Sequence, residues 1–87
     1  MARYYFHTVD GDCIRDDLGE ELPDDEAARK EALVVFGELL QHHGPQFWVS
    51  RRFSIIATNE RREIVVTLTA KASDDLPDDP RAQALIN

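Results

Sequence analysis

The 87-residue chain has one cysteine, Cys13, which excludes an intrachain disulfide framework and any zinc site built from several cysteines. That usage fits a reducing compartment, and a cytoplasmic protein is expected. No run approaches the ~18–20 apolar residues needed to span a bilayer. Met1-Ala2-Arg3-Tyr4-Tyr5 opens without the apolar stretch of an export signal, so a membrane is not an expected partner. Bases are scarce. Ten Lys+Arg face 17 Asp+Glu, for a net charge of −7 and a pI near 4.7, with a mean hydropathy of −0.43. Such a chain lacks the broad basic footprint that binding nucleic acid by counterion release requires. A glycine-rich phosphate loop, a nucleophile elbow and a dinucleotide fingerprint are all missing. No catalytic residue is therefore assigned, no cofactor is expected, and the chain reads as a non-enzyme.

What is present describes one small domain with a tail. A chain this short buries only about 60–65% of its unfolded surface, which leaves little room for a second domain or a deep cleft. Arg3-Tyr4-Tyr5-Phe6-His7-Thr8-Val9 is aromatic and β-branched and ends at Asp10-Gly11, a hairpin signal, so a strand is expected at about 3–9. Cys13-Ile14-Arg15-Asp16 can pair back, and Asp17-Leu18-Gly19 supplies the next turn. A helix over 24–43 starts at Pro23-Asp24-Asp25-Glu26 and stops at Gln41-His42-His43-Gly44-Pro45. Ala28, Ala32, Val35, Phe36 and Leu39, flanked by Leu33 and Leu40, form one apolar stripe that should face a sheet. Asp25 with Arg29 and Glu26 with Lys30 are spaced for pairing on the outer side.

Phe47 to Thr58 and Glu63 to Ala70 return to strand composition around the turn Asn59-Glu60-Arg61-Arg62. Phe53, Ile55 and Ala57, with Ile64, Val66 and Leu68, mark the core face. Trp48 is expected to plug the end of that core, with Leu18 and Leu22 clamping the same region. The expected fold class is α+β in ββαββ order. It has a four-stranded, mainly antiparallel sheet and one helix on one face, over residues 1–72. Residues 73–87 form an acidic tail in which Asp79 and Pro80 can start a short helix carrying Ala82, Leu85 and Ile86.

Several clusters invite chemistry and have a plainer explanation. Residues 10–26 hold nine acids against one arginine, but Ile14 and Arg15 break the register of a calcium loop, so solvated turn acids are the expectation and no metal is assigned. His42 and His43 diverge by about 100° on a helix and suit its negative C-terminal end. His7 reads as a surface or interface histidine, and Cys13 has no sequence neighbour that would activate it. Trp48, Arg51 and Arg52 form the one candidate nucleic-acid surface.

Arg3-Tyr4-Tyr5-Phe6-His7, the run Asp16 to Asp24, and Ala27-Ala28 with Glu31-Ala32 resemble a family of short proteobacterial proteins that share a domain of unknown function. Its members run from an R-Y-Y-F-H strand through a D-x-x-G-x-E-L-P-D turn into an A-A-x-x-E-A helix and a final hairpin. The resemblance covers about residues 3–70 and implies a fold without implying an activity. A weaker likeness of architecture is to the N-terminal domains of hic-type antitoxins. That likeness implies an antitoxin-like regulator, although the DNA-binding helical segment that usually follows is missing.

The uncovered sheet face carries the functional expectation. Tyr5, His7, Ile56 and Val65 would form an apolar patch on it, so the chain is expected to pair with itself as a homodimer or with another protein. A tail folded back over that face is the internal competitor.

Overall fold

The computed structural model describes residues Met1–Asn87. β1 (Ala2–Val9) is followed by two short strands, β2 (Cys13–Ile14) and β3 (Glu20–Leu22), and then by α1 (Asp25–His42) and α2 (Gly44–Ser50). β4 (Arg52–Thr58) and β5 (Ile64–Lys71) form the second hairpin, and α3 (Ala82–Ile86) ends the chain. The path β2-β1-β4-β5 is antiparallel throughout, and β3 pairs with the first residues of β1. The fold class is therefore α+β, with five strands where the sequence predicts four. β3 escapes a pattern search because two of its three residues are acids, while the backbone pairing Tyr4↔Glu20 to Ala2↔Leu22 does not depend on apolar side chains.

Local chemistry sets the limits of α1. Asp24 stays extended (φ −161°, ψ 179°) and its side chain accepts from the Ala27 N–H at 2.9 Å, which fixes the first turn. Ala28 and Ala32 are fully buried, so two small side chains let the helix approach the sheet closely. Phe53, Ile55 and Ala57 of β4 and Tyr4 of β1 fill the other half of the core. Phe36 stacks on Phe53 at 5.7 Å, and the His43 ring closes the end of the layer 6.0 Å from Phe53. Burial of Phe53 and Ile55 contributes about 1.5–3 kcal/mol each. Glu26–Lys30 forms at 3.8 Å as expected, whereas Asp25 accepts from the Tyr4 hydroxyl at 2.8 Å.

Five expectations are corrected. Phe47–Ser50 belongs to a helix rather than a strand, because Pro45 stands at the start of α2 and Arg51 ends it in the left-handed region (φ 59°). That helix leaves Trp48 63% exposed, so it does not plug the core. Leu18 is 83% exposed on the tip of its turn, and only Leu22 is half-buried. Ile64 leaves the core face because a bulge at Ala57/Thr58 sets it opposite Thr58, where it is 68% exposed. The second strand also stops at Ile14, two residues short of Asp16.

The tail leaves the sheet at Ala72, whose N–H donates to the Arg51 carbonyl at 2.9 Å. Arg81 donates to the Asp79 carboxylate, and α3 follows as anticipated, with Leu85 and Ile86 exposed. No helix is long and apolar enough to cross a membrane.

Candidate functional site

Side chains alternate across a strand, so the face opposite α1 takes every second residue of β1 and β4. Cross-strand register sets Tyr5 opposite Thr58, His7 opposite Ile56, and Val9 opposite Ser54 on that face. The Tyr5 and His7 rings stack at 6.4 Å with 8° between their planes. Together with Ile56 they form the floor of an open groove of about 610 Å³. Cys13 and Ile14 of β2 make one wall, Asn59 and Arg62 of the β4–β5 turn make another, and no tail residue contributes. Arg15 at the rim is paired with Asp17 at 3.1 Å. Arg62 sits in the left-handed region (φ 64°), an uncommon backbone for a side chain of its size.

The floor is fixed by hydrogen bonds centred on Asp16. The Asp16 backbone N–H donates to His7 Nδ1 at 3.0 Å, so the ring hydrogen lies on Nε2 and is donated to Thr58 Oγ1 at 3.0 Å. The Asp16 carboxylate accepts from the Phe6 N–H at 3.0 Å and from the Leu18 and Gly19 N–H groups at 3.0 and 3.1 Å. Burial works against ionisation of this carboxyl. The three N–H donors outweigh burial and hold it below the usual carboxylate range. Gly19 is the partner this turn requires. Its φ is +69°, and a Cβ there would lie 2.7 Å from the Tyr4 carbonyl oxygen. Arg3 fastens the same turn from β1, donating to the Leu18 carbonyl at 2.7 Å and to the Glu21 carboxylate at 3.4 Å. The hydrogen bond to Asp25 raises the Tyr4 phenol above its ordinary value, and burial adds to the effect.

Three of the four expected interface residues, Tyr5, His7 and Ile56, meet in the groove. Val65 lies at the bulge, half-buried and outside the groove wall. The nucleic-acid candidates lie apart from it. Trp48 packs edge-on to Phe47 at 5.7 Å on α2. Arg51 gives both terminal nitrogens to Asp74 at 3.0 and 2.9 Å, which raises the guanidinium pKa and lowers that of the carboxyl. Arg52 is exposed on β4, opposite Lys71. No three His, Cys, Asp or Glu side chains converge where they could hold a metal ion.

Asp16 is the residue that sequence reasoning missed. An aspartate three positions before a glycine is the mark of a turn closed by its own side chain, and that signal was available. The same residues, Arg3 to His7 and Asp16 to Asp24, are the opening of a domain of unknown function, DUF6894, whose family description matches residues 3–71. The chain belongs to the DUF6894 family. No curated protein and no solved structure matches it. In this DUF6894 chain the residues of the turn into α1 have structural work: Asp16 closes the turn, Gly19 supplies the left-handed backbone, Glu21 receives Arg3, and Asp24 caps α1. The groove floor stands on that support.

Proposed function

We propose that this protein is a non-enzymatic protein-interaction module that works as a homodimer in the cytoplasm, with its open sheet face as the surface offered to a partner. The observation carrying this reading is the groove itself. A floor of Tyr5, His7 and Ile56 is held in place by the Asp16 N–H on His7 Nδ1 and by the His7–Thr58 side-chain contact, with Arg15, Asn59 and Arg62 around it. A preformed floor spares the partner the ordering cost that a mobile surface imposes. The occupant that suits a long, shallow sheet face is an extended protein segment with one or two apolar side chains. The groove holds one hydroxyl–imidazole pair, Thr58 with His7 at 3.0 Å, but the Asp16 N–H on Nδ1 leaves the ring hydrogen on Nε2, so His7 donates to Thr58 Oγ1 and is not set to take its proton. His7, the one imidazole there, has both ring nitrogens engaged by Asp16 and Thr58. A nucleic-acid reading through Trp48, Arg51 and Arg52 is not favoured, because Arg51 is already spent on Asp74.

Selection of a displayed peptide library on the full chain tests the face. Enriched sequences with apolar anchors, lost on Ile56→Asp and on Tyr5→Ala, are expected; enrichment indifferent to both substitutions removes the reading. Light scattering across a concentration series tests the working unit. The mass of two chains is expected, and a single-chain mass at every concentration overturns the homodimer.

A further inference from the structure

The two edges of the sheet are finished differently. Along β1 the backbone groups alternate in direction: the Phe6 N–H meets Asp16 on the outer side, and the Arg3 N–H reaches Glu60 on the β4 side. Phe6 is therefore a non-hydrogen-bonded partner of Ala57, which turns the polar groups of Ala57 toward β5 and makes Ala57↔Val66 a bonded pair. Val66, Leu68 and Ala70 then point inward to β4, and the N–H and C=O groups of Thr67, Thr69 and Lys71 point out of the sheet. No element of the chain pairs with them. β5 contains no proline, and its centre carries no charge.

The flanks of this edge also lack partners. α1 packs over β4 and β5, and its Glu31 side turns toward β3, where burial, and after it the neighbouring Glu20 carboxyl, raises the Glu31 pKa. At 100° per residue, Leu33 and Leu40 lie on the opposite side of the helix, above β5. Leu33 is 63% exposed, and Ile64 is exposed at the start of the same strand on the other face.

We infer that β5 is the surface at which a second copy of this chain joins, strand against strand and antiparallel, extending the sheet across a two-fold axis. Charge supports this occupant over a foreign strand. In an antiparallel self-pair centred on Thr67, the end of β5 carrying Lys71 lies beside the partner's start, which carries Glu63, and this happens twice. The axis stands perpendicular to the sheet, so both copies of α1 fall on one side with their Leu33 flanks facing. Both grooves open together on the other side. The inference rests on the homodimer proposed above and adds where the copies meet.

The test is light scattering of the full chain beside Thr67→Pro. A proline at Thr67 removes only an outward N–H, so the inward pairing with β4 survives. The expected result is a two-chain mass for the native chain and a one-chain mass for Thr67→Pro, with unchanged circular dichroism. Thr67→Lys sets two lysines face to face across the axis and is expected to weaken the dimer at least tenfold; it stands in if the proline variant fails to fold. Glu63→Lys alone is expected to weaken the dimer a few-fold, and Glu63→Lys with Lys71→Glu to restore it. A native dimer that persists in folded Thr67→Pro and Thr67→Lys overturns the β5 interface and leaves the homodimer standing. A native monomer overturns both. A β5 that captures peptides in the library selection while the chain stays monomeric assigns the edge to a foreign strand and also overturns the inference.

Discussion

The outer edge of β1 and the outer edge of β5 belong to one sheet and end it in opposite ways. Along β1, two short strands take the backbone groups at either end of its outer side, and the Asp16 carboxylate takes the Phe6 N–H between them. Along β5 the row of donors and acceptors is left whole. Edge strands are ordinarily blunted by pairing, charge, proline or a bulge. The β1 edge uses pairing and charge over its full length. The β5 edge has one bulge near its start and a lysine at its end. Two treatments of one hazard within a single small sheet imply different uses: the closed edge supports the groove, and the open edge is kept for pairing.

The contrast can be broken from the β1 side with the largest effects. Asp16→Ala strands three backbone N–H donors, two of them partly buried, and is expected to cost about 1–3 kcal/mol in chemical denaturation. Gly19→Ala must move the Tyr4 carbonyl or abandon the left-handed turn, for a loss of about 2 kcal/mol. Asp24→Ala removes the α1 cap that ends the same segment and is expected to cost about 1 kcal/mol by thermal melting. Acid distinguishes the edges as well. The Asp16 carboxyl is held below its unfolded value of about 3.9, so its contribution is whole above that pH and is lost as the pH falls through the lowered folded value. Asp16→Asn should flatten that part of the acid denaturation profile, and an unchanged profile would show that the carboxylate does not drive it. On the β5 side, Thr69→Lys is expected to change monomer stability by no more than about 0.5 kcal/mol, because the exposed Thr69 side chain gives up only its hydroxyl contact with Ser54.

The sequence was most legible where a period or a cap repeats a physical requirement. Phe53, Ile55 and Ala57 alternate and are buried, and Asp24 and Gly44 bracket a helix observed within one residue of its expected ends. It was least legible where tertiary context decides. Phe47-Trp48-Val49 has strand composition, yet Pro45 two residues earlier starts another helical turn and turns Trp48 and Val49 to solvent. One bulge moved Ile64 across the sheet, because a period of two has no tolerance for a single extra residue. Tyr5, His7 and Ile56 were placed together by alternation alone. The residue that fixes His7, Asp16, was lost among eight other acids of similar appearance. Composition treats these carboxylates alike. Only the spacing to Gly19 separates the one that closes a turn from those that face water.

The position of β1 in the middle of the sheet constrains how the chain acquires its shape. Its neighbour β4 is far away in sequence: His7 meets Thr58 across 51 positions, with α1 and α2 in the intervening stretch. During synthesis the aromatic opening segment therefore emerges long before the strand that covers it, and the central ladder can close only when more than half of the chain has left the ribosome. Folding dominated by so distant a closure is slow for a domain of this size. β5 is the last strand to appear, so the edge left open in the finished sheet is also the last to form.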